Sequence, residues 1–168
     1  AAIVYSNATQ GIAVGKGTQV GGAFSAAFGT KANVLSGQYA TAIGCNSAAS
    51  GATVAGNGAI AIGGSYASGT DSFAAAIDNN TSSYGAVGAN SVAVGQNARA
   101  AQSNAIALGG SSLANGVYSF AFNGTSSGAY SVALGGTASG SVAVSLKGAT
   151  ASGDRSLAVG FRAVSSRF

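Results

Sequence analysis

Histidine, glutamate, proline, methionine and tryptophan are all absent from this chain of 168 residues, and cysteine occurs once. The only acids are Asp71, Asp78 and Asp154. Without histidine or glutamate, most general acid–base catalysts and metal ligands are missing. Three aspartates far apart in sequence make no calcium repeat. A lone Cys45 supports no internal disulfide framework and reads as a structural residue rather than a nucleophile. No enzyme and no cofactor is therefore expected. No apolar run reaches the length of a transmembrane helix. The chain has neither an initiating Met nor a signal-peptide pattern at Ala1, and so reads as a processed product or an excised fragment.

What is present is small. Glycine contributes 28 residues, and with alanine and serine makes 91 of the 168. A collagen helix is excluded, because glycine is one sixth rather than one third and proline is missing. Long helices are disfavoured by glycine and serine recurring throughout. Hydrophobic residues reach 47%, but alanine supplies nearly half of them. Large side chains are too scarce for a thick core. The chain must bury small residues in thin layers, or between copies of itself.

One five-residue phrase recurs: small, bulky, Ala, bulky, Gly. Its clearest copies begin at Ser91, Ala105, Ser131 and Ser156. Looser copies begin at Gly11, Ser25, Ala40, Ala52, Ala59, Ser72, Tyr84, Ser119 and Ser141. The dominant spacing is near fourteen, the signature of a stacked repeat. Twice a step of 12 is followed by a step of 7, at Ala40, Ala52, Ala59 and at Ser72, Tyr84, Ser91. With two short strands and two bends per coil, a seven-residue step either moves the phrase to the opposite strand or marks a shortened coil. Between phrases, Ala98-Arg99-Ala100 and Ala149-Thr150-Ala151 alternate small and variable residues, as in a strand with one packed face. The phrase itself is apolar on both sides, so both sides should be buried. The expected arrangement sends the bulky pair into the coil and the central alanine outward. That makes Ala93, Ala107 and Ala133 candidates for an interface between chains, with the opposite assignment left open. The fifth-position glycines, Gly15, Gly29, Gly44, Gly63, Gly95, Gly109, Gly135 and Gly160, are expected at bends, where positive φ is needed.

Asn90-Ser91-Val92-Ala93-Val94-Gly95 resembles the head-repeat motif of trimeric autotransporter adhesins, the YadA-like family. Asn104-Ala105-Ile106-Ala107-Leu108-Gly109-Gly110-Ser111-Ser112 follows its longer form. The resemblance spans roughly residues 11–163, with 1–10 as an N-terminal edge or capping segment and 164–168 as a C-terminal edge. It implies an all-β fold, a parallel β-solenoid of the left-handed β-roll type, assembled as a homotrimer. It also implies a non-enzymatic surface adhesion module that binds host extracellular matrix, a cell-surface protein or a glycan. The bacterial outer membrane would be reached only through other segments. Similar repeats occur in bacteriophage tail fibres, which makes a receptor-binding or shaft domain on a virion the alternative. Ala76, Asn123 and Ser145 stand where the phrase would have glycine.

Other residues suggest binding surfaces. Seven Lys and Arg against three acids give a net charge of +4. Lys147, Arg155, Arg162 and Arg167 concentrate near the C-terminal end, a pattern suited to acidic glycans or lipopolysaccharide. The basic residues lie on no recognised nucleic-acid module, so no nucleic-acid partner is expected. Tyr39, Tyr118 and Tyr130 each directly precede a phrase, which places them at one corner of the coil. Their mixed character suits a sugar- or protein-binding strip. Phe24, Phe28, Phe73, Phe120, Phe122 and Phe161 are assigned to coil core or chain interface. An ice-binding solenoid would need threonines in ranks, and the ten threonines are scattered against the phrase.

Overall fold

The structure, a computed structural model, describes residues 1–44, 52–76 and 83–166. Cys45, Asp78 and Arg167 lie outside the described residues. Two parallel sheets run side by side along one stack. The first, here the phrase sheet, has eleven described strands, from Ile12–Val14 to Leu157–Val159. The second, the return sheet, has twelve described strands, each of two residues, from Ile3–Val4 to Val164–Ser165. The chain alternates between the sheets strand by strand, and each strand bonds to its equivalents one coil before and after. This is the architecture of a β-solenoid. Ile3–Val4 and Val164–Ser165 are the outermost described strands of the return sheet, with Ile3 paired to Gln19 and Thr150 to Val164. At about 4.8 Å per rung the stack is about 50 Å long.

The sequence selects this fold through side-chain size. The central residue of every phrase strand after the first points inward and is fully or almost fully buried: Ala27, Ala42, Ala61, Ala74, Ala93, Ala107, Ala121, Ala133, Ser145 and Ala158; Ala13, in the terminal strand, is partly buried. Across from them lie inward residues of the return sheet, first Val20, Val34 and Val54, then Ala67, Ala86, Ala100 and Ala114. The bulky residues flanking each central alanine point outward. This reverses the orientation expected from the sequence: Ala93, Ala107 and Ala133 line the coil interior. The physical reason is the narrowness of the coil. A two-layer cross-section closed by tight bends admits Ala, Ser or Val, and no phrase strand sends Ile, Leu or Phe inside. Among the described residues no phenylalanine fills the coil either. Phe28, Phe73, Phe120 and Phe122 point out from the phrase sheet, and Phe24 and Phe161 sit at corners.

Register resolves the irregular spacings. The pairings Val92 with Ile106 and Ile106 with Phe120 define fourteen-residue coils, and Phe120 with Val132 a twelve-residue coil. The two seven-residue steps cross to the other sheet. Thr53–Val54 pairs with Asn33–Val34 and Tyr66–Ala67, and Gly85–Ala86 pairs with strands of the same return sheet. The coils that hold these steps are long, as the pairings Thr41 with Ile60 and Phe73 with Val92 show.

One phrase start is corrected. The strand is Val144–Leu146, with Ser145 opposite Ala133, so the phrase begins at Ala143 rather than Ser141. A slip of two residues preserves the in–out alternation of a strand, so alternation alone could not reject it. Val142 lies at the corner instead, at φ 56° and half exposed. A β-branched residue strains in that left-handed conformation, which asparagine tolerates. Val142→Asn is therefore expected to stabilise the chain by about 1 kcal/mol. A thermal melt checks this, and a fall in the midpoint would restore Val142 to a strand.

Candidate functional site

Two columns of close backbone contact shape the coil. The fifth-position glycines, Gly15, Gly29, Gly44, Gly63, Gly95, Gly109, Gly135 and Gly160, all have positive φ, between 67° and 132°. A second column stands three residues before most phrases: Gly22, Gly37, Gly56, Gly69, Gly88, Gly116, Gly128 and Gly140, with Ala8 and Gln102 in the same place before Gly11 and Ala105. None of these glycines is in the left-handed region, yet a Cβ on any of them would overlap the carbonyl of the next rung. Close approach, rather than dihedral freedom, demands glycine there.

The residue directly before each phrase forms a corner column: Gln10, Phe24, Tyr39, Gly58, Asp71, Asn90, Asn104, Tyr118, Tyr130, Val142 and Arg155. Every non-glycine member lies near φ 55°. From Phe24 onward each N–H is donated to the rung before, as in Tyr118 to Ser103 at 3.1 Å, Tyr130 to Val117 at 2.9 Å and Arg155 to Ser141 at 2.7 Å. The expected tyrosine corner is thus real as a position. Tyr118 and Tyr130 stack with ring centroids 5.1 Å apart and 4° between planes, and remain 53% and 60% exposed. Tyr39 is remote from that pair along the stack. It stacks instead on Phe24 at 5.2 Å, a partner the sequence reading had placed in the core or interface.

The basic candidates separate. Arg155 belongs to the tyrosine corner, two rungs beyond Tyr130. Lys147 and Arg162 occupy the opposite corner, after the phrase strands, at φ 54° and 62°. There the Arg162 guanidinium sits 5.2 Å from the Phe161 ring centroid. The three cations do not form one patch.

The outward faces of the two sheets differ. The return sheet presents Gln19, Asn33, Thr53, Arg99, Thr125, Thr137 and Thr150, a mainly polar surface. Thr125, Thr137 and Thr150 align on successive rungs, which spacing against the phrase had hidden. The rank ends at Leu113 and Val164, too short for a flat ice-binding plane. The phrase sheet presents a bulky apolar residue at nearly every outward position, from Ile12 and Val14 through Ile106 and Leu108 to Leu157 and Val159. Many are well exposed, such as Ile12 at 52%, Phe122 at 47% and Leu157 at 60%. Eleven rungs, three residues wide, make about 500 Å² in plan. Ala75 interrupts the face and leaves a hollow of about 450 Å³ lined by Ile62, Ala76, Val94 and Gln96.

Nothing in this geometry is catalytic. Among the described residues no three His, Cys, Asp or Glu side chains gather to hold a metal. What the arrangement offers is a stiff rod with a long apolar face, a polar face and an aromatic corner. It is a non-enzymatic β-solenoid module of the structural, adhesive type. The model of the YadA head domain repeat matches residues 86–112, 103–122 and 147–163, so the chain carries YadA-like head repeats over those residues. No curated protein matches the chain.

Proposed function

We propose that the chain assembles as a homotrimer through the outward face of the phrase sheet, and that the assembly attaches a bacterial cell surface to host matrix, cells or glycans. The continuous apolar face carries this reading. Its size is at the upper end for the largest patch of a soluble monomer, and along the described strands only Ala26, Thr41 and Ala75 stand in place of a bulky apolar residue. Closed rotational symmetry buries such a face and ends growth at a finite assembly. The interface residues are then the bulky flanks, such as Val92, Val94, Ile106, Leu108, Val132 and Leu134, in place of the central alanines. The family association supports a cell-surface context and an adhesive role.

Light scattering at micromolar concentration tests the assembly, with three times the chain mass expected. A binding screen against immobilised matrix proteins, cells and glycans tests the attachment. A soluble monomer at that concentration sinks the interface, and silence across the whole screen sinks the adhesive role.

A further inference from the structure

We propose that the corner strip running through Tyr118, Tyr130, Val142 and Arg155 binds a carboxylate-bearing polysaccharide laid along the stack. This rests on the adhesive reading above and names its ligand class. The first observation is the backbone. Tyr118 and Tyr130 are both held at φ 55°, a left-handed conformation that disfavours a bulky side chain. The same column uses Asn90 and Asn104 at φ 53° and 59°, where asparagine is well tolerated. Tyrosine is therefore not there for the turn. Strain of this kind collects at functional positions.

The second observation is the rings themselves. They are stacked and more than half exposed, so they form a small aromatic platform with hydroxyls at the rim. Stacking covers the facing sides of the two rings, so a pyranose packs its C–H groups against their exposed edges or outer faces, and its hydroxyls reach the phenol oxygens.

The third observation is a cation in line with the platform. Arg155 is exposed and has no ion-pair partner among the described residues. Its neighbour Asp154 is engaged elsewhere, accepting a hydrogen bond from the Ser141 N–H at 2.9 Å. A guanidinium fork matches a carboxylate in two bonds. Ser127, Ser139 and Ser152 add exposed hydroxyls three residues before Tyr130, Val142 and Arg155. Rungs repeat about every 4.8 Å, close to the length of one sugar unit, so a linear polysaccharide meets a group on each rung.

A peptide fits less well. The corner N–H groups of Tyr118, Tyr130, Val142 and Arg155 are all donated to the preceding rung, leaving none to pair with an added strand. The strip also has no apolar pocket for an anchoring side chain. Phe24 and Tyr39 form a similar stack with no cation next to them in the column, only Gln10 and Gly58, and so provide an internal control.

The test is calorimetric titration of the full chain with hyaluronan oligosaccharides, which carry carboxylates and no sulfate, against neutral maltodextrin. The key variant is Tyr118→Asn with Tyr130→Asn, because asparagine is the repeat's own residue at this corner and keeps the fold. Hyaluronan affinity is expected to fall about tenfold or more in this variant, with the melting temperature unchanged or raised. Arg155→Gln is expected to weaken binding and remove most of its salt dependence. Tyr39→Asn leaves the titration unchanged, and maltodextrin binds more weakly than hyaluronan. Equal hyaluronan affinity in the wild type and the double variant would overturn the proposal, since net charge alone would then explain binding. A wild type that adheres to matrix proteins but not to hyaluronan overturns the ligand class and leaves the adhesive reading standing. Failure in both assays overturns both.

Discussion

Gly128→Ala is expected to destabilise the chain by about 3 kcal/mol, the upper end for forcing an extra methyl into packed surroundings. The added Cβ would overlap the carbonyl of Gly140 on the next rung, and that atom is backbone, which cannot swing aside. Gly135→Ala is the comparison. Gly135 has φ 67° and open space around its missing side chain, so only dihedral strain of about 1 kcal/mol is incurred. Thermal or denaturant melts of the two variants measure the difference. Equal losses would mean that the second glycine column is not set by close approach. The contrast separates close approach from dihedral strain at two positions that carry the same residue type.

Ala107→Arg and Leu108→Arg are expected to give opposite results from adjacent positions. Ala107 is fully buried in the coil, so its replacement forces a charge into a space sized for a methyl group. The chain then fails to fold, and circular dichroism loses its β signal. Leu108 points outward from the phrase sheet. A charge there leaves the coil intact but places three like charges about the axis of the proposed trimer, where unpaired burial is costly. A folded monomer is the expected product, with association weakened at least about a hundredfold. Analytical ultracentrifugation with circular dichroism separates the two outcomes. A Leu108→Arg chain that remains trimeric would remove the phrase sheet from the interface.

The sequence carries part of this fold openly and hides the rest. The repeat, the parallel rungs and the corner position of Tyr118 and Tyr130 were all legible, because they depend on period and on residues directly flanking the phrase. The direction of the phrase was not. Alternation says that Ala107 faces away from Ile106 and Leu108, but not which side is inside. Coil width decides that, and it is a property of the whole cross-section. The two-residue slip at Ser141 has the same origin, since alternation is unchanged by it. Gly140, three residues before Ala143, held the correct register, but its column becomes visible only when rungs are stacked. Phe24 was assigned to core or interface because a phenylalanine was expected to be buried. Its place before Ser25 is the same as that of Tyr39 before Ala40, and position was the better guide than hydrophobicity. The candidate cations were close in sequence, yet the coil sends Arg155 to one corner and Lys147 and Arg162 to the other.

The ladder has a mechanical consequence. Strands lie across the stack and their hydrogen bonds run along it, so each rung is held mainly by the rungs on either side. Tension applied between the ends loads those bonds lengthwise, a few at a time, and the coil lengthens by unzipping from a terminus rather than by rupturing all at once. A tether built this way yields gradually under flow and rewinds when the pull is released, since each released rung finds its template in the one still in place.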